Sequence, residues 1–493
     1  MIRCAKSFAA LFGLIVLTCF SGCTVGPNYQ RVAAPVPAHW DVAQPWRESA
    51  PRDSLPKGQW WTIFNDDQLN SLEQQALAEN QTIKVSVGRL EQARSLAALQ
   101  VSTEFPQFGT TPTAERQRLS GNRPTNGVPI QLSPATQNTF TIPFTVSYEA
   151  DLFGSRRRSI EAAQASYQAS AADLENVRLL IAAELAGDYF SLRQLDTQIG
   201  ILNRTVAALN EGLRLVQARH AGGVASGLDV AQEETLLDTT RTQSILLRQQ
   251  RKQYEDAIAA LTNHPAPDFH LLPRELDAEP PPINAGLPSD LLERRPDIAE
   301  SERQMAAANA QIGIARAAFF PSLNLFANGG WQAADIAKLA NVSSTFWAIG
   351  ADVAQSIFTG GARRAQQQFA QAGYDAAVAN YRGTVLGALQ EVQDSLTGIS
   401  VLSEAQTSQQ QAVDAARRTL DLANSRYVGG LVSYLDVVSA QQNLLNNQNE
   451  MAVIQGQKLV ASVLLVKALG GGWDASSIAA LQVKPRLRDA LAP

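Results

Sequence analysis

One stretch of twelve residues occurs twice in the chain: RHAGGVASGLDV at 219–230 and RYVGGLVSYLDV at 426–437, identical at seven positions and offset by 207. In each copy a glycine pair (Gly222-Gly223, Gly429-Gly430) is followed by a serine (Ser226, Ser433) and then an aspartate (Asp229, Asp436). Glycine takes positive φ without a Cβ penalty and so ends helices. A serine with an acid three residues later starts one, close to a capping box with Asp in the Glu or Gln place. Each copy therefore predicts a helix stop followed at once by a helix start. The chain makes two helical hairpins, and the rest is arranged about their tips.

The helix entering the first tip is long. No proline interrupts 155–219, which at 1.5 Å per residue is roughly 100 Å of helix, far beyond a globular element. Ile160, Tyr167, Leu174 and Ile181 recur every seven residues, and after a four-residue step Leu185, Leu192, Ile199, Val206 and Leu213 do so again. Leu195, Leu202, Leu209 and Val216 supply the second seam position. This is a coiled-coil heptad with one stutter. The return helix, 227–262, stops at Pro265 and Pro267, and 273–287 is a proline-rich connector.

Each long helix is preceded by strands. Phe140, Ile142, Phe144, Val146 and Tyr148 alternate with polar residues, the period of a half-buried strand. Pro143 fits such a strand at an edge or a bulge. A weaker strand is expected near 108–117 and a loop over 119–137. Upstream lie an aromatic knot (Trp60, Trp61, Phe64) and a helix from about 67 to 103, stopped by Phe105-Pro106. The programme then repeats. A helix over 289–318 stops at Phe320-Pro321, and alternating runs follow at 323–328 and 347–353. A second long helix, opened by 357–360, runs to Tyr427 with heptad positions Val385, Val392, Ile399, Gln406, Val413 and Leu420. The return helix ends at Gly470-Gly471-Gly472-Trp473.

The N-terminus reads as a targeting segment. Arg3 and Lys6 precede a short apolar run, and small residues lead to Cys23. The run is too short to span a membrane. Cys4 and Cys19 leave with the signal peptide, so Cys23 stays alone, with no disulfide or cysteine metal site. The division expected is a signal peptide at 1–22, a Pro-rich tether at 23–59, repeats at 60–287 and 288–473, and a tail at 474–493. With 45% hydrophobic residues and a net charge of −5, the chain is globular in composition and lacks the basic footprint of a nucleic-acid binder.

Four strands per chain cannot close a barrel, and an open edge is not tolerated in lipid; closed outer-membrane barrels begin at about eight strands. The strands therefore imply an oligomer that builds one barrel together. Phe153, Phe319, Phe320 and Phe358, where strands meet helices, suit an aromatic girdle. Arg156, Arg157, Arg158, Arg363 and Arg364 follow and suit head-group or periplasmic exposure. Helices of this reach around an axis give a tube continuous with the barrel.

The residues also carry a resemblance. CTVGPNYQ from Cys23, WWTIF at 60–64, ADLFG at 150–154, LLERRPDIAESERQMAAANAQIGIARAAFFPSL at 291–323, both hairpin tips and ALGGGW at 468–473 resemble the outer-membrane efflux proteins, TolC-like channel-tunnels. They are most similar to the lipoprotein branch, NodT-like, that serves RND-type drug-efflux pumps. The resemblance implies a mainly α fold with a membrane β-barrel. Four strands from each chain of a homotrimer would form a 12-stranded barrel, and the hairpins a periplasmic α-barrel. It implies a passive exit duct for small molecules, a periplasmic adaptor and an inner-membrane RND-type transporter as partners, and outer-membrane lipid as surroundings. Cys23 resembles a lipoprotein-box cysteine, acylated and palmitate-bearing. Thr24 is not the aspartate associated with inner-membrane retention.

By the same resemblance the periplasmic gate comprises Asp229, Tyr427 and Asp436. Asp229 and Tyr427 match positions that hydrogen-bond across neighbouring hairpins, a charge-assisted bond strong enough to latch yet breakable. Three copies of Asp436 around an axis would make a cation-favouring carboxylate ring, besides capping its helix. The family often has a second acid at Ser439 and a second latch arginine at Val432; both are absent here. The tips Gly222, Gly223 and Val224, with Gly429, Gly430 and Leu431, could meet the tips of an adaptor, or serve as tight turns only. His39, His220, His264 and His270 share no metal-ligand spacing, and no nucleophile motif or phosphate loop is present, so no enzyme or cofactor is expected. A protein-secretion duct uses the same fold, and a structural coiled-coil envelope protein would lack a pore.

Overall fold

The computed structural model describes residues 24–37, 40–41, 58–120, 135–283, 288–473, 475, 478 and 480–484. The signal segment, Cys23 and most of the loop before the second alternating strand lie outside the described residues.

Two helices of equal length dominate the molecule. Helices are numbered α1 (Asp67–Glu79), α2 (Gln81–Ser102), α3 (Ser155–Ala221), α4 (Gly227–Leu261), α5 (Pro296–Ala317), α6 (Ala362–Val428) and α7 (Tyr434–Ala468). The long helices α3 and α6 have 67 residues each, and their return helices α4 and α7 have 35 each. At 1.5 Å per residue the long members reach about 100 Å. Their apolar seams explain the pairing. Leu195, Leu202, Leu209 and Val216 are buried along α3, and Val385, Val392, Ile399 and Val413 along α6. Gln406 interrupts the second seam and accepts a hydrogen bond from Lys458 Nζ at 2.9 Å. Helix α7 is long and apolar enough to cross a membrane by length and composition alone. Its apolar side chains are instead spent on packing against α6 and α3, with Leu459, Val463, Leu465 and Val466 fully buried.

Two helices expected as single rods are broken. Asn80 separates α1 from α2 because its side chain accepts from Thr82 N and Ile83 N and caps the second helix, while its amide donates to Leu261 O at 2.9 Å. A local cap here overrides a helical period that continues through it. Likewise the second-repeat helix is a short turn over Leu291–Arg294, a break at Arg295, and α5 starting on Pro296 at its first position.

The strands form one antiparallel sheet: β1 (Gln107–Thr110) and β2 (Thr113–Leu119) along one side of β3 (Ala135–Ala150), then β4 (Ser322–Ala333) and β5 (Thr345–Ala354). β1 and β2 keep one register on β3, from Gln107↔Ser147 through Thr110↔Phe144 and Thr113↔Thr141 to Leu119↔Ala135. They are one strand interrupted at 111–112. Of the two places expected for Pro143, an edge or a bulge, the edge is excluded, because β3 is paired on both sides. Proline cannot donate to the ladder, and the interruption lies opposite it, so the neighbouring strand gives way where the donor is missing. The outer edges, β1/β2 and β5, have no partner among the described residues. Large apolar side chains stand exposed on the sheet, among them Phe108, Trp347, Ile349 and Val353.

Where sheet meets helices, Phe153 stacks on Phe320 with ring centroids 4.6 Å apart, and Phe319 and Phe358 are exposed. Within the first arginine cluster, expected to be exposed, Arg156 and Arg157 are half-exposed and ion-paired, and only Arg158 departs from the expectation. Arg156 binds Glu149 at 2.6 Å, Arg157 binds Asp151 at 3.1 Å, and Arg158 is buried, bound to Glu161 at 2.6 Å and Asn28 at 2.8 Å. Acids at the end of β3 and the extended N-terminal segment supply partners that a linear reading cannot place. That segment lies along α5 and α3: Asn309 donates to Pro27 O at 3.1 Å and Tyr29 to Glu302 at 2.7 Å. A Cβ on Gly26 would lie 2.6 Å from Gly313 Cα, so these two glycines permit a backbone-to-backbone crossing.

The main core sits part-way down the hairpins. Trp60, Trp61 and Phe64 pack with Leu69, Tyr189, Phe190 and Leu192 of α1 and α3, and with Leu459 and Val463 of α7. A buried ionic network ties the connector to it. Arg193 binds Asp196 at 2.7 Å, Arg251 binds Asp196 at 2.6 Å and Leu271 O at 2.7 Å, and Arg274 binds Tyr189 Oη at 2.7 Å. Arg295 similarly binds Asp297, Glu391 and Ala468 O, the last at 3.0 Å, which joins the 291–295 and 468–473 motifs.

Two predictions follow from this packing. Leu202→Ala removes a fully buried seam side chain and is expected to cost roughly 2–5 kcal/mol, whereas Lys84→Ala breaks only a half-exposed pair with Glu79 worth at most about 1 kcal/mol; thermal melting of the two variants checks this. Glu300 is pushed up to about 7 by burial, with Asp173 and Asp297 adding to it, against an ordinary value of 4.5. The folded chain then holds a proton that the unfolded chain has released, so stability falls as pH rises through this interval. Glu300→Gln is expected to flatten that part of the Tm–pH curve.

Candidate functional site: the hairpin tips

The two tips are built alike. At the first, Gly222 N donates to Ala218 O (3.1 Å), Gly223 N to His220 O (2.9 Å) and Val224 N to Arg219 O (2.8 Å). At the second, Gly429 N donates to Ser425 O (3.1 Å), Gly430 N to Tyr427 O (3.0 Å) and Leu431 N to Arg426 O (2.9 Å). Only the second glycine of each pair has positive φ, +75° at Gly223 and +70° at Gly430; Gly222 and Gly429 have ordinary φ of −79° and −75°. The return helices start as their sequences dictate. Ser226 N donates to Asp229 Oδ2 (3.1 Å) and Asp229 N to Ser226 Oγ (3.2 Å). Ser433 N and Oγ both donate to Asp436 Oδ2, at 3.0 and 2.7 Å.

The surface of the tips is apolar for so small an area. Val224, Leu228, Val428, Leu431 and Leu435 are all more than half exposed, beside the exposed glycines. Asp436 is exposed and Asp229 half-buried. Tyr427 is half-buried, its ring 5.0 Å from that of Tyr434 and 4.8 Å beneath the Arg219 guanidinium. A cation over an aromatic face contributes about 0.5–1 kcal/mol at such a site. Within one protomer, Tyr427 and Asp229 make no hydrogen bond to each other among the described residues: the carboxylate caps its own helix, and the ring faces α3 and α7.

The structure brings together residues that sequence reasoning passed over. Beneath the tips Val216, Tyr434 and Val437 form a buried cluster, flanked by Val230, Leu420 and Tyr427. Arg219 closes it from above. The signal lay in the differences between the two twelve-residue copies. Where the first has His220 and Gly227, the second has Tyr427 and Tyr434, two rings that fill the space between hairpins. His220 caps its own turn, with Nδ1 2.9 Å from Ala225 O. No group of three or more His, Cys, Asp or Glu side chains that could hold a metal ion occurs among the described residues.

Loss of a cap is expected to act locally. Asp436→Ala removes both bonds from Ser433 at a cost of about 1 kcal/mol, so amide exchange over 433–437 is expected to speed up roughly fivefold with the midpoint of global melting little changed.

Comparison with known proteins agrees with this architecture. The family model described as outer membrane efflux protein matches residues 72–264 and 287–471. The pyoverdine export outer membrane protein OpmQ of Pseudomonas aeruginosa is 34% identical over 450 residues, covering 90% of this chain and 94% of OpmQ. The toluene efflux pump outer membrane protein TtgF of Pseudomonas putida is 33% identical, covering 92% and 95%. Among solved structures, the outer-membrane channel OprN superposes with a TM-score of 0.85 at 28% identity, covering 92% of this chain and all of that one. The chain is a member of the outer membrane efflux protein family.

Proposed function

We propose that the chain is the passive exit duct of a tripartite efflux pump that carries small organic molecules from the periplasm to the outside. The observation that carries this reading is the pairing of two features. A sheet with exposed apolar side chains and two open edges leads directly into two hairpins of matched length, about 100 Å long. Backbone edges cannot remain open in lipid. Three copies supply twelve strands and close the barrel, and their hairpins then surround one continuous tube. Relatives named for pyoverdine export and toluene efflux favour small-molecule cargo over protein.

The partners are an RND-type inner-membrane transporter and a periplasmic adaptor, which meets the tips at Gly222, Gly223, Val224, Gly429, Gly430 and Leu431. Asp229, Tyr427 and Asp436 are the gate. In one protomer the Tyr427 hydroxyl has no partner among the described residues, which leaves it available to a neighbouring hairpin. The anchor is acylated Cys23. Its neighbour Thr24 packs on Gly154 at the sheet–helix junction, 2.7 Å from where a Cβ on Gly154 would stand, and Val25 N donates to Phe153 O at 3.1 Å. A lipid on the preceding residue would thus enter the membrane beside the stacked Phe153–Phe320 pair.

Single-channel recording in planar bilayers tests the duct. Small, cation-leaning conductance is expected from the wild type, and larger conductance from Asp229→Ala/Tyr427→Phe. Well-folded oligomers that never conduct in either form would refute the reading. For the anchor, Cys23→Ser is expected to abolish radiolabelled palmitate incorporation while the protein still fractionates with the outer membrane; a variant that keeps the label is acylated elsewhere.

A further inference from the structure

One carboxyl near the tips has no part in the gate described so far. Glu233, one turn beyond Asp229 on α4, is fully buried, and neither carboxyl oxygen has a hydrogen-bond partner among the described residues. It lies over Gly212 of α3. A Cβ there would stand 2.5 Å from Glu233 Oε1 and 3.8 Å from the Tyr434 hydroxyl oxygen. The acid of the first hairpin and the phenol of the second therefore share the space that any side chain at 212 would fill. Glycine inside a helix costs roughly 0.5–1 kcal/mol relative to alanine, so its placement under this carboxyl is a specific accommodation. In the second copy of the repeat the corresponding positions hold Thr419 and Ala440, and no acid is present.

We propose that Glu233 and Tyr434 form a second latch of the mouth, a buried carboxyl–phenol pair that ties the first hairpin to the second and loosens when the carboxyl ionises. The surroundings are apolar: one turn beyond Glu233, Leu236 and Leu237 pack with Leu209, and Tyr434 packs with Val216 and Val437. Ionising the carboxyl in such surroundings costs more in lost hydration than the one hydrogen bond from the phenol returns, whereas the neutral acid can share a hydrogen bond with the phenol without that cost. Burial accordingly pushes Glu233 up, with the Tyr434 hydroxyl opposing the shift in part. Tyr434 is itself pushed up by burial and by Glu233, with Tyr427 and Asp229 adding to it. The Arg219 guanidinium is occupied over the Tyr427 ring, and no cation is paired with Glu233 among the described residues.

The sign is fixed by these surroundings. The packed tips hold a proton on Glu233 that the loosened tips release, so packing is strongest at low pH. It weakens by up to about tenfold in the packed-to-loosened ratio per pH unit as pH rises from the free glutamate value to the raised one. Glu233 and Tyr434 act here as positioning residues: they set how firmly the hairpins close, and do not touch cargo.

That the hairpins border a mouth rests on the duct reading; the pair itself does not. The test therefore uses two readouts on the full-length oligomer between pH 5 and 8: hydrogen exchange over 427–440, corrected for intrinsic rate, and conductance in planar bilayers. In the wild type, protection is expected to fall and conductance to rise with pH. Glu233→Gln, neutral and still able to bond the phenol, is expected to be flat in both. Tyr434→Phe removes a group that favours the charged form and is expected to move the midpoint upward. Wild type and Glu233→Gln with the same pH profile of protection would overturn the proposal. Protection that behaves as expected in a protein that never conducts would uphold the latch and refute the duct.

Discussion

The rest of the structure depends on the unpaired edges of the β-sheet. A strand edge in a bilayer leaves N–H and C=O groups without water or partner, several kcal/mol for each. β1/β2 at one side and β5 at the other cannot pair with each other within a sheet of this width. Closure has to come from further copies of the chain. Once the barrel is shared, the hairpins that leave β3 and β5 are also placed around a common axis. Their length then has a use that it lacks in an isolated chain, where α3 and α6 would expose much of their surface.

Length alone would leave two floppy rods, and the belt around their middle prevents it. Trp60, Trp61 and Phe64 wedge between α1, α3 and α7. The buried Arg193–Asp196–Arg251 network and the Arg295–Glu391 pair fix the connectors and the chain end against the same helices. Buried ion pairs add little net stability, because desolvation offsets their attraction. Their value here is positional: each guanidinium also binds a backbone carbonyl, Leu272, Leu271 or Ala468, and so fixes the path of a loop. The tips lie beyond this belt, held only by small clusters and by caps. Less is buried there, which suits the opening mouth proposed for the tips.

Features encoded by neighbouring residues were legible in the sequence. The glycine pairs, caps and heptads gave the hairpins their ends to within two or three residues, because each depends on side chains within one or two turns. The β-alternation of Phe140 to Tyr148 was equally local. What escaped depends on partners far along the chain. Asn80 reads as a helix residue until Leu261 O is seen to hold its amide. Arg158 reads as a surface cation until Asn28 and Glu161 enclose it. Pro143 reads as an edge or bulge residue until the break at 111–112 is found opposite it in a strand paired on both sides. Asp229, Tyr427 and Asp436, proposed as the gate, could be singled out from the repeated motif, whereas Glu233 and Tyr434 are about two hundred residues apart and only the packing of one hairpin on the other brings them together.

The proposed duct is complete only as a closed ring of three chains. Native mass spectrometry of the detergent-extracted, mature protein measures that directly. A single dominant species of three chains that survives mild heating and carries the proposed acyl chain is expected. A folded species of one or two chains as the stable form would contradict it, since the sheet edges would then have to be satisfied in some other way.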